Sequence, residues 1–190
     1  DGMPKMKRTF RKVYLDKLNY LDFYSVERFG KTKLGQMLLY AKQSQNIKLI
    51  RELINEIRPQ IIKLIDSNNI DGILFIPPTI KREVQFMKVL EEQLSLPLRT
   101  LSVTKVKTEI IVPQKTLSKL EDRVENAKQT IIVDDTKQYK NILLIDDAVG
   151  SGATLNETAK QIKNKKLANG MIIGLAITGS FKGFDVISEV

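Results

Sequence analysis

Two adjacent carboxylates, Asp146 and Asp147, stand directly before a glycine-rich segment, and this is where the chain could do chemistry. Residues 142–145 before them are apolar throughout, which predicts a strand buried on both faces of a parallel sheet. After the glycines, Thr154 and Glu157 have the spacing of a helix-capping box. The order of strand, acid pair, glycine loop and helix predicts an anion site at the carboxyl end of a strand, with backbone N–H groups as donors.

Two common nucleotide-binding loops do not match this segment. A P-loop requires Gly-Lys followed by Ser or Thr, whereas Gly152 is followed by Ala153 and Thr154. A Rossmann fingerprint requires a third glycine at the position of Leu155. A phosphoacceptor receiver domain needs a further Asp and Lys on later strands, for which the chain after Leu155 is too short. An ordinary capped surface turn is the remaining alternative, but it requires neither adjacent acids nor two glycines.

The segment resembles the phosphoribosyl-pyrophosphate (PRPP) loop of type I phosphoribosyltransferases, which has four apolar residues, two Asp and a stretch ending in Gly-Ala-Thr. Gly150 stands where Thr is usual in that loop. The resemblance implies that Asp146 and Asp147 accept hydrogen bonds from the ribose 2′- and 3′-hydroxyls. It also implies a cradle for the 5′-phosphate, made by Ala148, Val149, Gly150, Ser151, Gly152, Ala153 and Thr154.

Composition limits the chemistry that the chain can do. The 190 residues include no Cys and no His, which excludes disulfides, thiolate metal sites and the usual general base. A hydrophobic content of 42% and a charged content of 28% are typical of a globular protein. No apolar run approaches the length of a membrane span, and the first residues lack a signal-peptide core, so we expect a cytoplasmic protein without a membrane partner.

Positive charge is concentrated near the N-terminus. The chain carries a formal net charge of +9, and residues 1–50 hold 11 Lys or Arg against 4 Asp or Glu, a net +7. Such a segment indicates either contact with nucleic acid or a solvated surface. Residues 1–12 show little apolar pattern, which predicts a mobile or extended arm.

The remaining pattern predicts an α/β fold. We expect an open, mainly parallel sheet with helices on both faces, preceded by a mostly helical segment, with residues 1–68 as the basic N-terminal part and 69–190 as the core domain. Helices are predicted from Thr32 to about Lys42, from Ser44 or Asn46 onward with either a kink or the start of another helix at Pro59, after Arg82, and from Leu117 or Ser118 to about Lys128. Strands are predicted at 73–76, 98–103, 130–133 and 171–178, while residues 13–28 fit a strand or a short helix. The second acid pair, Asp134 and Asp135, has no glycine loop after it and is predicted to be surface.

Two basic segments are predicted to contact a second anionic group. Type I phosphoribosyltransferases bind pyrophosphate with the loop after the first core strand, and the corresponding residues here are Pro77, Pro78, Thr79, Lys81 and Arg82; a solvated Lys-Arg pair is the alternative. Residues 104–116 form a long irregular stretch, which in compact domains is usually functional or disordered. By the same resemblance this stretch is a mobile lid over the ligand, with catalytic roles for Lys105, Lys107 and Lys115.

A longer series of residues resembles the ComF family of competence-associated phosphoribosyltransferase-like proteins. Its clearest part is Gln114, Leu117, Ser118, Arg123 and Asn126, ahead of the PRPP loop; weaker matches are Phe23, Tyr24, Arg28, Leu38, Leu39, Lys42, Ile76 and Phe86. Members usually carry a zinc ribbon before this region, so a chain without Cys is either truncated or a member without zinc. The family motif after the first strand is also altered, since Arg82 is followed by Glu-Val-Gln-Phe.

The resemblance implies transfer of a phosphoribosyl group with release of pyrophosphate, with Mg²⁺ held mainly by PRPP and water. The predicted ligands are PRPP or ribose 5-phosphate, and single-stranded DNA and a second copy of the chain are further candidate partners. The alternative is a competence accessory protein that binds PRPP or DNA without catalysis. Neither the acceptor nor a general base can be identified from the sequence.

Overall fold

The computed structural model describes residues 1–78, 82–106 and 119–181. Within them, five parallel strands form one sheet in the order β1-β9-β8-β4-β5. The strands of this sheet are β1 Lys17–Phe23, β4 Gly72–Phe75, β5 Arg99–Thr100, β8 Ile142–Val149 and β9 Ile172–Gly179. Two small antiparallel pairs accompany it, β2 Ser25–Val26 with β3 Gly30–Lys31, and β6 Val103–Lys105 with β7 Ile131–Val133. The predicted α/β class with a mainly parallel sheet is confirmed.

Helices cover both faces of this sheet, because alternate residues of each central strand point to opposite sides. The helices are α1 Met3–Thr9, α2 Lys33–Ser44, α3 Ile47–Ser67, α4 Phe86–Leu94, α5 Leu120–Thr130 and α6 Ala153–Asn164. Leu143 and Ile145 of β8 pack with the apolar residues of α2, α3 and α4. Ile142 and Leu144 pack with those of α1 and α6 on the other face.

Local signals locate the starts of α2 and α3 correctly. The Thr32 hydroxyl accepts from the Gly35 N–H at 3.0 Å and caps α2, and Asn46 caps α3 through the Lys48 N–H at 2.9 Å. Of the two alternatives at Pro59, the start of another helix is wrong, since α3 is a single helix of 21 residues that contains this proline and has one buried stripe. Packing of these buried residues against the sheet keeps the chain helical at Pro59, where the proline removes one backbone hydrogen bond.

The N-terminal arm prediction is also wrong. Residues 3–9 form α1, and Met6 is fully buried against the sheet side that α6 covers. The Gly2 N–H donates to the Leu18 carbonyl at 2.7 Å, and the Asn156 side chain binds the Lys12 carbonyl and the Tyr14 N–H. The segment was predicted as an arm because it is rich in basic residues. Its apolar side chains Met6 and Phe10 pack against the core and anchor it. The division of the chain at residue 68 stays a prediction, and β1 of the first part is an edge strand of the main sheet.

Residues 98–103, predicted as one strand, contribute to two sheets. Arg99–Thr100 pairs with β4 in the main sheet, and Val103–Lys105 turns away to pair with β7. The acid pair Asp134 and Asp135 closes this region, since Asp134 accepts from the Thr104 hydroxyl and Asp135 from the Ser102 N–H. Across the described residues, no helix is long and apolar enough to cross a membrane.

Candidate functional site

The acid pair lies at the carboxyl edge of the main sheet, within β8. Ala148 and Val149 continue the ladder with Thr178 and Gly179 of β9, so the strand extends past the carboxylates. The prediction that the strand ends before Asp146 is therefore wrong, because small and apolar residues after the acids keep the pairing. The carboxyl ends of β4, β9 and β1 lie at the same edge, where open parallel sheets bind ligands.

Asp147 forms a buried salt bridge with a residue of α2. Lys42 Nζ lies 2.6 Å from Asp147 Oδ2, and the two side chains are only 13% and 19% exposed. Lys42 was absent from the predicted site residues, although it belongs to the series that resembles the ComF family. As a single lysine near the end of a helix, it has the pattern of an ordinary solvated charge. Only its position against a carboxylate 105 residues away distinguishes it.

Asp146 is a strongly perturbed carboxyl group. Burial, and next the neighbouring charge of Asp147, raise the pKa of Asp146 to about 8. The Asp147 N–H, which donates to Asp146 Oδ1 at 2.9 Å, and the ammonium groups of Lys42 and Lys105 oppose this rise. The pair therefore holds one proton more readily than two separate surface carboxylates would.

Lys105 approaches the acid pair from another direction. It is the last residue of β6, and its Nζ donates to the Pro78 carbonyl at 3.0 Å. Burial lowers the pKa of Lys105 to about 8, against the opposite effect of the Asp146 charge. The structure thus brings Lys105 near Asp146 and the segment after β4. Lys105 belongs to a strand, whereas the sequence placed it in a mobile lid. Of the other predicted lid lysines, Lys107 and Lys115 lie outside the described residues, as does Gln114.

The glycine segment connects β8 to α6. Gly152 has a φ of +85°, and it occupies the N-cap position that the sequence assigned to Thr154. Glycine adopts this backbone conformation without the strain that a side chain would add, and the helix begins two residues earlier than a capping box at Thr154 would begin it. The buried Ser151 hydroxyl accepts from the Ala153 N–H at 3.2 Å. Thr154 lies in the first turn of α6, and Gly150 is half-buried between strand and helix.

Arg82 lies against the C-terminal end of α2. Its guanidinium donates to the Lys42 carbonyl, and the adjacent Val84 N–H donates to Gln45 Oε1 at 3.0 Å. Pro77 and Pro78 directly follow β4 as predicted, and Pro78 accepts the Lys105 contact. Thr79 and Lys81 lie outside the described residues. The described part of the predicted pyrophosphate segment is therefore joined both to Lys105 and to the helix that carries Lys42.

The predicted family-motif residues of α5 have a different setting. Arg123 is buried and Asn126 half-buried on a helix that contacts α6 and β7. Burial lowers the pKa of the Arg123 guanidinium. The Asn126 carbonyl accepts from the Thr130 hydroxyl at the end of the helix.

The side chains at the sheet edge suit a hard, oxygen-rich ligand. Among the described residues, no group of three or more His, Cys, Asp and Glu is placed to hold a metal ion. Two carboxylates, two lysines, an arginine and the start of a helix instead lie on segments that come together near the strand ends. The fold is that of an α/β protein of the open parallel-sheet class, with a candidate site of carboxylates and cations at its carboxyl edge.

Comparison with known proteins gives two similar structures. No family model and no curated protein matches the chain. A hypoxanthine phosphoribosyltransferase from Staphylococcus aureus is similar over 72% of this chain and 78% of its own, with 15% identity and a TM-score of 0.38. A hypoxanthine-guanine phosphoribosyltransferase from Bacillus anthracis is similar over 74% and 86%, with 14% identity and a TM-score of 0.38.

Proposed function

We propose that the chain binds PRPP, or a ribose 5-phosphate group, at the acid pair and glycine segment and transfers its phosphoribosyl group with release of pyrophosphate. One observation carries this proposal. Asp146 and Asp147 lie in β8 immediately before a glycine turn that opens α6, while Lys42, Lys105 and Arg82 come to the same edge from three other segments.

Each part of PRPP has a matching group. Vicinal ribose hydroxyls are donors, and a pair of carboxylates in Asp146 and Asp147 supplies acceptors at adjacent positions. A 5′-phosphate suits the N–H groups of residues 150–154, because a helix start attracts anions. The diphosphate suits the cationic side chains of Lys105 and Arg82 at the end of β4.

The reaction class follows from these charges. The bond between ribose C1 and the pyrophosphate oxygen breaks, the electron pair leaves with pyrophosphate, and a nucleophilic acceptor forms the new bond to C1. An oxocarbenium-like state gains positive charge beside Asp146 and Asp147, while Lys105 and Arg82 stabilise the negative charge of the leaving group. Catalysis by position and charge requires no His, in keeping with the composition.

Mg²⁺ would bind at this site together with the ligand. Carboxylate and phosphate oxygens are the donors that it prefers, and it usually keeps several waters and binds through one or two carboxylates and the ligand phosphates. Phosphate oxygens of the ligand and water would supply most of its ligands, and when bound it would neutralise charge on the diphosphate. Lys42 already balances the negative charge of Asp147, so this carboxylate does not need the metal ion as a counter-charge.

Calorimetry tests the proposal directly. Wild-type protein should bind ribose 5-phosphate, and PRPP with Mg²⁺, and the Asp147→Asn variant should bind both at least about tenfold more weakly, since a charged acceptor is lost. Asp134→Asn is the matched control, because this acid lies in the exposed pair near β7. Equal affinity of wild type and Asp147→Asn would remove the assignment. Pyrophosphate production with a panel of bases, amines and ammonia then separates an enzyme from a protein that only binds.

A second candidate is an accessory role in competence with single-stranded DNA as partner, and the N-terminal structure favours it. Lys7, Arg8, Arg11 and Lys12 are exposed on a segment that α1 and the Asn156 contacts hold in place. Affinity for single-stranded DNA should then fall steeply with salt, because neutralised phosphates release counterions. Changing the four residues to Gln should flatten the salt dependence while Met6 still anchors the helix. Absence of binding by the wild type at low salt would exclude this role.

A further inference from the structure

We propose that Lys42 is a positioning residue of this site, which fixes the orientation and the charge of Asp147 for a ligand hydroxyl and is itself held by Arg82. This inference rests on the proposed function, and it assigns a role to a residue of α2, outside the strand and the glycine segment that form the rest of the site.

The contact differs from the exposed lysine salt bridge of the same helix. Lys33 and Glu56 form a pair of similar length, 2.9 Å, but its side chains are 75% and 48% exposed. Such a pair is screened by water and contributes little. The Lys42–Asp147 pair is largely removed from water, so neither charge is readily satisfied if the other is lost. Because Lys42 binds Oδ2, it also directs the carboxylate, whose Oδ1 has lone pairs for a donor.

Lys42 also makes the two acids unequal. Its ammonium group is in contact with Asp147 and acts on Asp146 only through the field, where it lowers a pKa that burial and Asp147 raise. Lys105 of β6 also lowers this pKa, and its Nζ donates to the Pro78 carbonyl after β4. Asp147 is therefore the carboxylate in direct contact with a cation, and Asp146 is the one whose pKa burial raises. A sugar diol then meets one fixed acceptor and one group that can accept or donate.

Both the side chain and the backbone of Lys42 belong to the site. Its carbonyl, near the end of α2, accepts from the Arg82 guanidinium, and Gln45 of the same end accepts from the Val84 N–H. The last carbonyls of a helix have no partner within it, so these contacts satisfy groups that would otherwise need water. They also restrict the helix end from which the flexible lysine side chain extends. The segment after β4 thereby supports the position of Lys42, and through it that of Asp147.

Removal of the charge should change the pH dependence of binding. Without Lys42, two adjacent carboxylates lose a cation, so the acid pair retains its shared proton to a higher pH. The Lys42→Met variant should therefore bind ribose 5-phosphate about tenfold or more weakly at pH 7, and the deficit should shrink toward pH 9, where the acids ionise without help. A lysine with a merely structural role would weaken binding by the same factor at every pH.

The experiment compares Lys42→Met, Lys42→Arg and the control Lys33→Met by calorimetry with ribose 5-phosphate from pH 6 to 9. Lys42→Arg keeps the charge with another geometry, so its affinity should fall while its pH profile stays like that of the wild type. Lys33→Met lies in the same helix and should match the wild type throughout. In a cycle with Asp147→Asn, the double variant should bind no more weakly than Asp147→Asn alone, because Lys42 acts through that carboxylate.

The outcomes separate this inference from the proposed function. If wild type binds ribose 5-phosphate and Lys42→Met binds equally well with the same pH profile, the role of Lys42 is overturned and the proposed function stands. If wild type does not bind, both fall. Carbon-detected NMR titration of the unliganded acid pair gives a readout without ligand: its titration midpoint should rise in Lys42→Met, and an unchanged midpoint would also overturn the inference. Should Lys42→Met not fold, Lys42→Arg decides, since a wild-type affinity there would contradict a geometric role.

Discussion

The thioether of Met6 lies where a side chain at Gly152 would have to be. A Cβ built on Gly152 would stand 2.4 Å from Met6 Sδ, far closer than atoms pack, and φ at this glycine is +85°. Met6 comes from α1 and is fully buried. The N-terminal helix thus packs directly on the turn that opens α6, and the shape of the predicted phosphate cradle depends on residues almost 150 positions earlier in the chain.

Gly152→Ala should destabilise the protein more than Gly30→Ala does. Gly30 also has a positive φ, +74°, but nothing lies within 4 Å of the Cβ that it would gain. Gly30→Ala therefore measures the backbone cost alone, about 1–2 kcal/mol. Gly152→Ala adds the clash with Met6, for a further 1–3 kcal/mol or so. Urea unfolding measures both, and equal losses would show that the Met6 contact is unimportant.

Met6→Ala should reduce stability by about 2–5 kcal/mol, the usual range for a buried methionine cut to alanine. It should also make Gly152→Ala less costly, because the atom that the new Cβ would meet is gone. A double-mutant cycle should therefore show coupling of about 1 kcal/mol or more between the two sites. Additive losses would contradict the contact, as would a Met6→Ala variant as stable as the wild type.

Asp146→Asn should stabilise the folded protein above neutral pH. The pKa of Asp146 is raised to about 8, whereas an unfolded Asp titrates near 3.9. Between these values the folded state binds more protons than the unfolded one, so the free energy of unfolding falls as the pH rises. Asn removes this dependence. We expect a Tm gain that is smaller near pH 5 and reaches several degrees at pH 8, at ~2–4 °C per kcal/mol.

Asp146→Asn should also bind the ligand more weakly, so the carboxyl group whose pKa is raised is the one that the ligand needs. Scanning calorimetry at pH 5, 6.5 and 8 gives the Tm series, and Asp134→Asn serves as the control. An Asp146→Asn gain that is constant over this pH range, or a loss at pH 8, would show that the carboxyl is ionised in the folded protein at no cost.

Asn141→Ala should destabilise the fold and leave binding intact. The buried Asn141 amide donates to the Asn68 and Asn69 carbonyls and accepts from the Met171 N–H at 2.8 Å, which joins the amino ends of β4, β8 and β9. Loss of these contacts should cost about 2–4 kcal/mol, since buried backbone groups are left without partners. Ribose 5-phosphate affinity below the unfolding transition should be unchanged, because the site lies at the opposite strand ends; a weaker Kd would indicate coupling across the sheet.

Local pattern was sufficient for the central elements. The apolar residues 142–145, the acids after them, the glycines and the periodic residues of α6 all appear close to where the sequence predicts them. Such features depend on neighbours within a few positions, as do the Thr32 and Asn46 caps. The errors in this region are small and have local causes: Ala148 and Val149 extend the strand, and the positive φ of Gly152 takes the cap position from Thr154.

Arg82 and Lys105 were predicted as site residues by resemblance to a known family, but only the tertiary structure adds Lys42 and shows what each of the three contacts. Lys42 contacts Asp147, Arg82 contacts the Lys42 carbonyl, and Lys105 contacts the Pro78 carbonyl. These contacts lie near one another because the strand order β1-β9-β8-β4-β5 places β4 beside β8. Packing of the surrounding residues shields the Lys42–Asp147 pair from water. The same packing shifts the pKa values of Asp146 and Lys105. The same holds for α1, whose basic sequence predicts a free arm but whose Met6 is buried once the sheet and α6 offer it a surface. By itself the sequence determines the strand, the acid pair and the glycine turn, because these need only short-range order; which charges reach them is a matter of long-range contacts that no local spacing encodes.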